Sequence, residues 1–533
     1  MLFHTWPFLV FLLIVLPVLF ALRRTRLWLP WLTVASYFFY GWWNPYYLFL
    51  VAYSTVLDFC LVVLMDHCPR ERQKVDMLTR LMRLRFDDLV LRNAFVVAAL
   101  ASLGSLTLAL VGPRTLRPTL VALGLIVLLM ACGALFRSRR TWLFISLANN
   151  LALLLFFKYA RFAVENLNAL LAWVHLALKL PDPSMLMPFG MNYVLPVGIS
   201  FFTFQSMSYT IDFYLGNVER ERSFLRFATF VCFFPQLMAG PIERAKHLLP
   251  QFRQFPPFRL ENFTDGLSLF LVGLFKKLAV ANYLSFYVER VYDNPKAVGA
   301  PGLVLATFAF AWQIYCDFSG YTDMARGVAK LMGFNLILNF NNPYLATGLG
   351  DFWSRWHISL STWFRDYVYI PLGGNRRGEF NTYRNLFVTF LVSGIWHGAA
   401  WSFAIWGALH GLGVMLTRAL ERSAYYRERV PKLLKQSWVF LYVCFAWIFF
   451  RAESLGDAWL IVRRIFTAAW QDPQIPLLML SLAAIVWLYQ FAYESRFCEV
   501  LQHSFVRVGL AVGMVVYLCL CSSGGGSFIY FQF

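Results

Sequence analysis

The stretch SGIWHGAAWSFAIWGALHG, residues 393–411, sets two histidines, His397 and His410, among Trp, Phe, Leu, Ala and Gly. An imidazole is costly to desolvate without partners, so its meaning depends on the surrounding chain. That chain of 533 residues is 59% hydrophobic and 14% charged, against about 25% charged in an ordinary soluble domain. Apolar runs of bilayer-crossing length recur along it. Every backbone polar group inside a membrane must be satisfied internally. The composition therefore predicts an all-α polytopic membrane protein, and spans of about 20 residues give about 11–13 transmembrane helices with re-entrant segments.

Spans are expected near 7–22, 27–43, 46–65, 94–112, 119–136, 141–158, 265–284, 302–318, 384–420, 437–450, 476–493 and 506–521. The segment 165–180 reads as interfacial and amphipathic. Two later stretches, MPFGMNYVLPVGISFFTFQSMSYTIDFY (187–214) and FFPQLMAGPIER (233–244), are broken by Pro and Gly. Broken backbone at membrane depth is tolerated only inside protein or beside a water-filled cavity.

The chain carries 47 Lys and Arg against 28 Asp and Glu, a net charge of +19. The excess falls in short loops: Arg23, Arg24 and Arg26, seven basic residues in 66–92, and three in RSRR at 137–140. The positive-inside rule makes these loops cytoplasmic and puts the N-terminus outside, with Arg114 and Arg117 counting against it. No basic run interleaves with exposed aromatics, so nucleic acid is not expected as a partner; the lipid bilayer is. The opening MLFHTW lacks a basic n-region and no small-residue cleavage site follows, so the first span is expected to be retained. The nine cysteines form no framework. There is no HExxH, paired CxxC, GxSxG or Walker loop, and no metal site is expected.

His397 is the residue of most interest. On a span starting near Asn385 it stands roughly 18 Å along the helix, well inside a hydrocarbon layer about 30 Å thick. An ionisable group at that depth is a functional candidate, and imidazole suits proton transfer near neutral pH. A structural histidine bonded to a neighbouring span is the competing reading. The stretch 385–416 is too long for one straight span, which implies a break or strong tilt around Gly394–Ala400. Ser393, Gly394, Gly398, Ala399 and Ala400 let another backbone or a substrate approach, and Gly398 leaves the imidazole open on one side. His410, thirteen residues on, points about 140° away on a continuous helix and reads as structural. His4, His67, His175, His247 and His503 lie at termini, loops or interfacial stretches.

The second block is DFWSRWHISLSTWFRDYVYIPLGGNRRG, residues 351–378. Asp351 is expected to cap a helix that Pro371 and Gly373–Gly374 stop. Trp353, Trp356, Leu360, Trp363 and Tyr367 line one side of it; Arg355, Ser359, Thr362 and Asp366 line another. The aromatic stripe is most simply packing. His357 lies within the apolar sector, where a core histidine bonded to a carbonyl and a functional one both fit. Arg355, Arg365, Arg376, Arg377 and Arg384 cluster nearby, and either phosphate binding or positive-inside anchoring explains them.

FWSRWHISLSTWFRDYVYIPLGGNR followed by SGIWHGAAWSFAIWGALHG resembles the membrane-bound O-acyltransferase superfamily, in its bacterial alginate O-acetylation branch. LPVGISFFTFQSMSYTIDFY (195–214), FFPQLMAGPIER, CDFSGYTDMARGVAKLMGF (316–334), FRAESLGDA (450–458) and FIYFQF (528–533) extend the likeness. The resemblance implies a ring of tilted helices around a thin, water-accessible centre, with a tunnel joining a cytoplasmic donor side to an outward acceptor side. It puts the catalytic histidine on His397 and a second one, on a re-entrant helix, on His357. Trp396, Gly398, Asp317 and Asp323 are candidate cavity-lining residues, with capping or span pairing the simpler role for the two carboxylates. Arg355, Arg365, Arg376 and Arg377 are candidate donor contacts. The whole chain, 1–533, is expected to form one integral-membrane domain, with 66–136 a two-span insertion. No bound cofactor is expected; acetyl-CoA or another acyl thioester is the expected donor substrate. A periplasmic acetyltransferase partner and an exported polysaccharide acceptor follow from the same branch, in the inner membrane of a bacterium. Peptidoglycan, cellulose or D-alanylated teichoic acid are alternative acceptors. A transporter of lipid-linked sugars would be expected to show repeat symmetry and ion-coupling carboxylates, and neither stands out.

Overall fold

The computed structural model describes residues 1–69, 89–111, 117–136, 138–187, 193–238 and 240–521. The basic residues of 70–88, Arg114, Arg137, Pro188, Gly190 and the closing FIYFQF lie outside the described residues. The chain divides into two compact units, Pro17–Met238 with Glu243–Phe255, and Met1–Leu16 with Ala239–Ile242 and Pro256–Phe533.

The helices of the first half are α1 (Trp6–Leu22), α2 (Trp28–Gly41), α3 (Leu48–Asp66), α4 (Leu89–Val111), α5 (Arg117–Phe136), α6 (Arg139–Trp173), α7 (Ile199–Leu215) and α8 (Phe224–Cys232). The first six start within about five residues of the expected spans. The helices expected at 94–112 and 119–136 are present as the paired α4 and α5. One expectation changes: α6 runs on through a π-turn at Leu155–Tyr159 to Trp173. Only 174–180, beyond it, is irregular, so the interfacial segment begins as a continuation of the span. Pro and Gly do break the next stretch. Gly198, at φ +75°, starts α7, and a Cβ there would strike the carbonyl of Leu237. The buried carboxylate of Asp58 on α3 organises this unit. It accepts from Ser146 Oγ at 2.7 Å and from Asn150 Nδ2 at 2.9 and 3.1 Å, both on α6, so a charge-capable group in an apolar interior is met by donors.

The second half contributes α9 (Leu260–Tyr292), α10 (Ala300–Leu331), α11 (Leu349–Arg355), α12 (Ile358–Phe364), α13 (Glu379–His397), α14 (Trp401–Leu420), α15 (Lys432–Arg451), α16 (Leu455–Thr467), α17 (Leu477–Tyr493) and α18 (Ser504–Cys521). Among the described residues six helices are long and apolar enough to cross a membrane, and four shorter apolar helices accompany them. Others, such as the 32-residue α10, carry too much polarity to stand out by hydropathy.

Two helix crossings set the frame of this unit. Gly266 and Gly273 of α9 face Gly327 and Gly320 of α10 so closely that a Cβ on any of the four would meet partner backbone. Small residues are what let helices approach in lipid, where no hydrophobic force drives them together. Gly394 of α13 and Gly407 of α14 make the other crossing, with a Gly394 Cβ 2.8 Å from Gly407 Cα.

Candidate functional site

The expected break lies where the sequence placed it. α13 ends at His397, Gly398 and Ala400 are extended, and α14 starts at Trp401. The helix begins six residues before Asn385, so His397 stands about 27 Å from its first residue rather than roughly 18 Å. His397 is buried and edge-on to three aromatic rings: Trp396 at 5.0 Å, Trp406 at 4.9 Å and Phe450 at 5.4 Å between centroids. The space beside Gly398 is not open: a Cβ there would fall into the Phe403 ring. Gly398 therefore shapes the turn by letting Phe403 close over it. Trp396 is buried and reaches Phe364 of α12 at 6.3 Å.

The 351–370 helix is not continuous. It splits into α11 and α12, each of seven residues, with Trp356 and His357 between them, and ends in a π-turn at Arg365–Tyr369. Asp351 is not the cap; Gly348 is, and Asp351 instead takes the backbone N–H of Thr347 at 3.1 Å. Gly373 (φ +113°) and Gly374 (φ +56°) do turn the chain away after Pro371.

His357 sits at φ +44° and ψ +54°, a left-handed conformation that costs a non-glycine residue of order 1–3 kcal/mol. Asn339 holds it there. Its carbonyl accepts from Ile358 N at 2.9 Å, and its Oδ1 accepts from Ser359 N at 3.1 Å and Ser359 Oγ at 2.9 Å. Asn341 N donates to the carbonyl of Arg355 at 2.9 Å. The segment 339–341 thus clamps both sides of the turn. The imidazole lies fully buried, edge-on to Phe318 at 4.6 Å and parallel to Phe340 at 6.3 Å. Trp356 packs on Trp447 at 5.2 Å, and Trp447 on Phe450 at 5.1 Å, the ring that touches His397. An aromatic wall therefore links the two histidine neighbourhoods.

The remaining expected residues divide. Asp317 pairs with Lys277 at 2.6 Å and Asp323 with Lys276 at 2.7 Å across the α9–α10 crossing, the span-pairing arrangement. Arg355 is clamped by Asp351 at 2.8 Å and Glu494 at 2.5 Å. Arg365 pairs with Asp366 at 2.9 Å. Arg376 and Arg377 are exposed in the turn after Pro371, with no carboxylate in ion-pair reach among the described residues. Buried Asn385 ties that turn to α13 through Gly374 O at 3.0 Å.

Asn339 carries no signal in the sequence, and His410 reads there as structural. His410 is fully buried, its ring 4.7 Å from Trp406, the same ring that touches His397. The angular separation of His397 and His410 applies only to an unbroken helix; the three-residue turn resets the phase and folds α14 back along α13.

The fold and this site define a polytopic α-helical membrane protein with buried histidines at two helix breaks. Residues 217–456, which include both, match the family model "MBOAT, membrane-bound O-acyltransferase family". The chain is 42% identical over 331 residues to "Probable alginate O-acetylase AlgI" of Pseudomonas putida, covering 62% of this chain and 65% of that protein. It is 41% identical over 345 residues to the same-named protein of Pseudomonas aeruginosa, 64% and 63% of the two chains. It is 38% identical over 350 residues to "Peptidoglycan O-acetyltransferase" of Helicobacter pylori, 60% and 63%. The matched region thus spans somewhat less than two thirds of these relatives.

Proposed function

We propose that the protein is a membrane-embedded O-acyltransferase that passes an acetyl group from a cytoplasmic thioester, such as acetyl-CoA, towards an exported polysaccharide such as alginate. The observation that carries this is a buried imidazole, His397, at the end of a helix whose continuation is interrupted, inside the segment of family likeness. His397 acts as general base on the incoming hydroxyl, or takes the acyl group transiently. As a base it raises the nucleophilicity of the hydroxyl, a contribution of roughly 10²–10⁴-fold; as an acyl carrier it splits the transfer into two steps through an acyl-imidazole.

His357 supports the same chemistry from the clamped turn. Its left-handed backbone is held by Asn339 in a fully buried setting, and strain of that kind clusters at functional positions. Arg376 and Arg377, exposed and without carboxylate partners among the described residues, are the better placed of the four arginines to meet a phosphate-bearing donor; Arg355 and Arg365 are engaged in ion pairs. The basic loops favour an inner-membrane protein with its N-terminus outside. A periplasmic acetyltransferase would then carry the acetyl group to the polymer.

Mass-spectrometric comparison of the cell's exported polysaccharides with and without the gene tests this. Loss of an acetyl ester from one polymer names the acceptor, and loss from peptidoglycan instead of alginate moves the assignment there. His397→Ala is expected to abolish that ester at unchanged protein level. Retained acetylation in the variant removes His397 from the mechanism.

A further inference from the structure

We infer that Trp406 and His410, on one side of α14, form a pair of N–H donors that binds the carbonyl oxygen of the acyl group beside His397. This rests on the acyl-transfer reading above and assigns a site within it.

The indole N–H of Trp353 can only donate, so its 3.3 Å bond to His410 Nδ1 makes that nitrogen an acceptor. The imidazole is then neutral and carries its proton on Nε2. That N–H is buried and has no acceptor among the described residues, and the same is true of the indole N–H of Trp406. Both side chains are fully buried. Four residues apart on a helix, they share one side, with ring centroids 4.7 Å apart. Trp406 in turn lies 4.9 Å from the His397 ring.

Buried donors are almost always paired, and an exception calls for a ligand or ordered water to supply the acceptor. The surroundings narrow the ligand. Phe352, Trp353, Trp447 and Phe450 ring the pair, and among the described residues no cation belongs to this cluster. A permanent anion such as phosphate or carboxylate entering there would lose its hydration with nothing charged to meet it. A carbonyl oxygen enters uncharged and becomes negative only during reaction. Two preorganised neutral N–H donors in a buried aromatic site suit that change.

In the step concerned, the hydroxyl oxygen, or a nitrogen of His397, forms a bond to the thioester carbonyl carbon. A hydroxyl gives its proton to His397. The carbonyl π pair moves onto the oxygen facing Trp406 and His410. It returns as the C–S bond breaks, and the thiolate leaves and takes up a proton.

The full chain in lipid nanodiscs, with acetyl-CoA as donor, provides the test. Trp406→Phe keeps an aromatic ring and removes one N–H; His410→Phe does the same for the other. Each is expected to lower kcat roughly a hundredfold or more while KM for acetyl-CoA and the melting temperature stay near wild type. In a His397→Ala background, which blocks turnover, carbonyl-labelled [¹³C]acetyl-CoA is expected to show a down-shifted carbonyl band. Adding Trp406→Phe or His410→Phe should return the band towards its solution position. Full activity in both folded variants overturns the inference, as does an unshifted band in the His397→Ala protein. Activity lost only in step with melting temperature also overturns it, since the cluster is then packing alone. If His410→Phe does not fold, Trp406→Phe decides. Wild-type protein that transfers no acetyl group overturns the acyltransferase reading, which is a different result from active wild type with active variants.

Discussion

The α9–α10 and α13–α14 crossings are built alike and hold different things. In both, glycines face each other and the backbones nearly touch. Across α9 and α10 the close approach brings Lys277 to Asp317, both buried, and Lys276 to Asp323, both part-buried, so charge meets countercharge. On α14, by contrast, His410 and Trp406 each present a buried N–H with no acceptor among the described residues. A membrane interior exacts a cost for either kind of polar group. Where the partner is within the chain, the polar pair fastens two helices together. Where it is not, the group is placed for something that comes and goes.

The largest effect expected from breaking this contrast is at Lys277. Lys277→Met leaves Asp317 buried opposite a thioether, and removing one member of a buried pair costs about 3–5 kcal/mol. Thermal unfolding in detergent should show the loss. The double variant Lys277→Met with Asp317→Leu should recover most of it, since an apolar pair of similar volume is often neutral. If the single variant melts like wild type, the pair is not a fastener.

A smaller effect is expected at Gly394. Its missing Cβ is what lets α14 approach, and Gly394→Ala forces the backbones apart, which costs about 1–3 kcal/mol. Activity should fall more than stability, because Trp406 moves relative to His397. Unchanged acetylation in Gly394→Ala would show that this spacing does not matter to the chemistry.

The smallest concerns an ion pair outside the candidate spans. His247 Nδ1 lies 2.7 Å from the buried Glu243 carboxylate, while its own side chain is 41% exposed. The hydrogen bond to Glu243 raises the histidine above its ordinary pKa of 6.5, against a smaller opposing contribution from burial. A raised value means that the contribution to stability is fully present below the ordinary pKa and fades as pH climbs through the raised one. The melting difference between wild type and His247→Gln should shrink as the pH rises above 6.5. A difference that grows with pH contradicts the pairing.

Much of this was legible in the residues. Apolar runs place the starts of the expected spans to within about five residues, but not the ends of α6 and α10, which run on to Trp173 and Leu331. The break after His397 was legible from the run of small residues and from a span too long to be straight. His357 was legible as a residue but not in its setting: the period of Trp353, Trp356, Leu360 and Trp363 suggests one helix. The turn that interrupts it is imposed by Asn339, a residue from another segment with no periodic signature of its own. The angle of about 140° between His397 and His410 holds only for a continuous helix, and the helix stops between them.

The sequence by itself determined that this is an all-α membrane chain and where its expected spans begin, and it offered His397 as a candidate. These follow from local properties: hydropathy over about twenty residues, charge in short loops, and glycine content. Only the tertiary structure decided that Asp317 and Asp323 pair with lysines, that Phe403 fills the space beside Gly398, and that His410 and His397 meet at one tryptophan. Each of those depends on which distant side chain arrives opposite, and no local pattern records that.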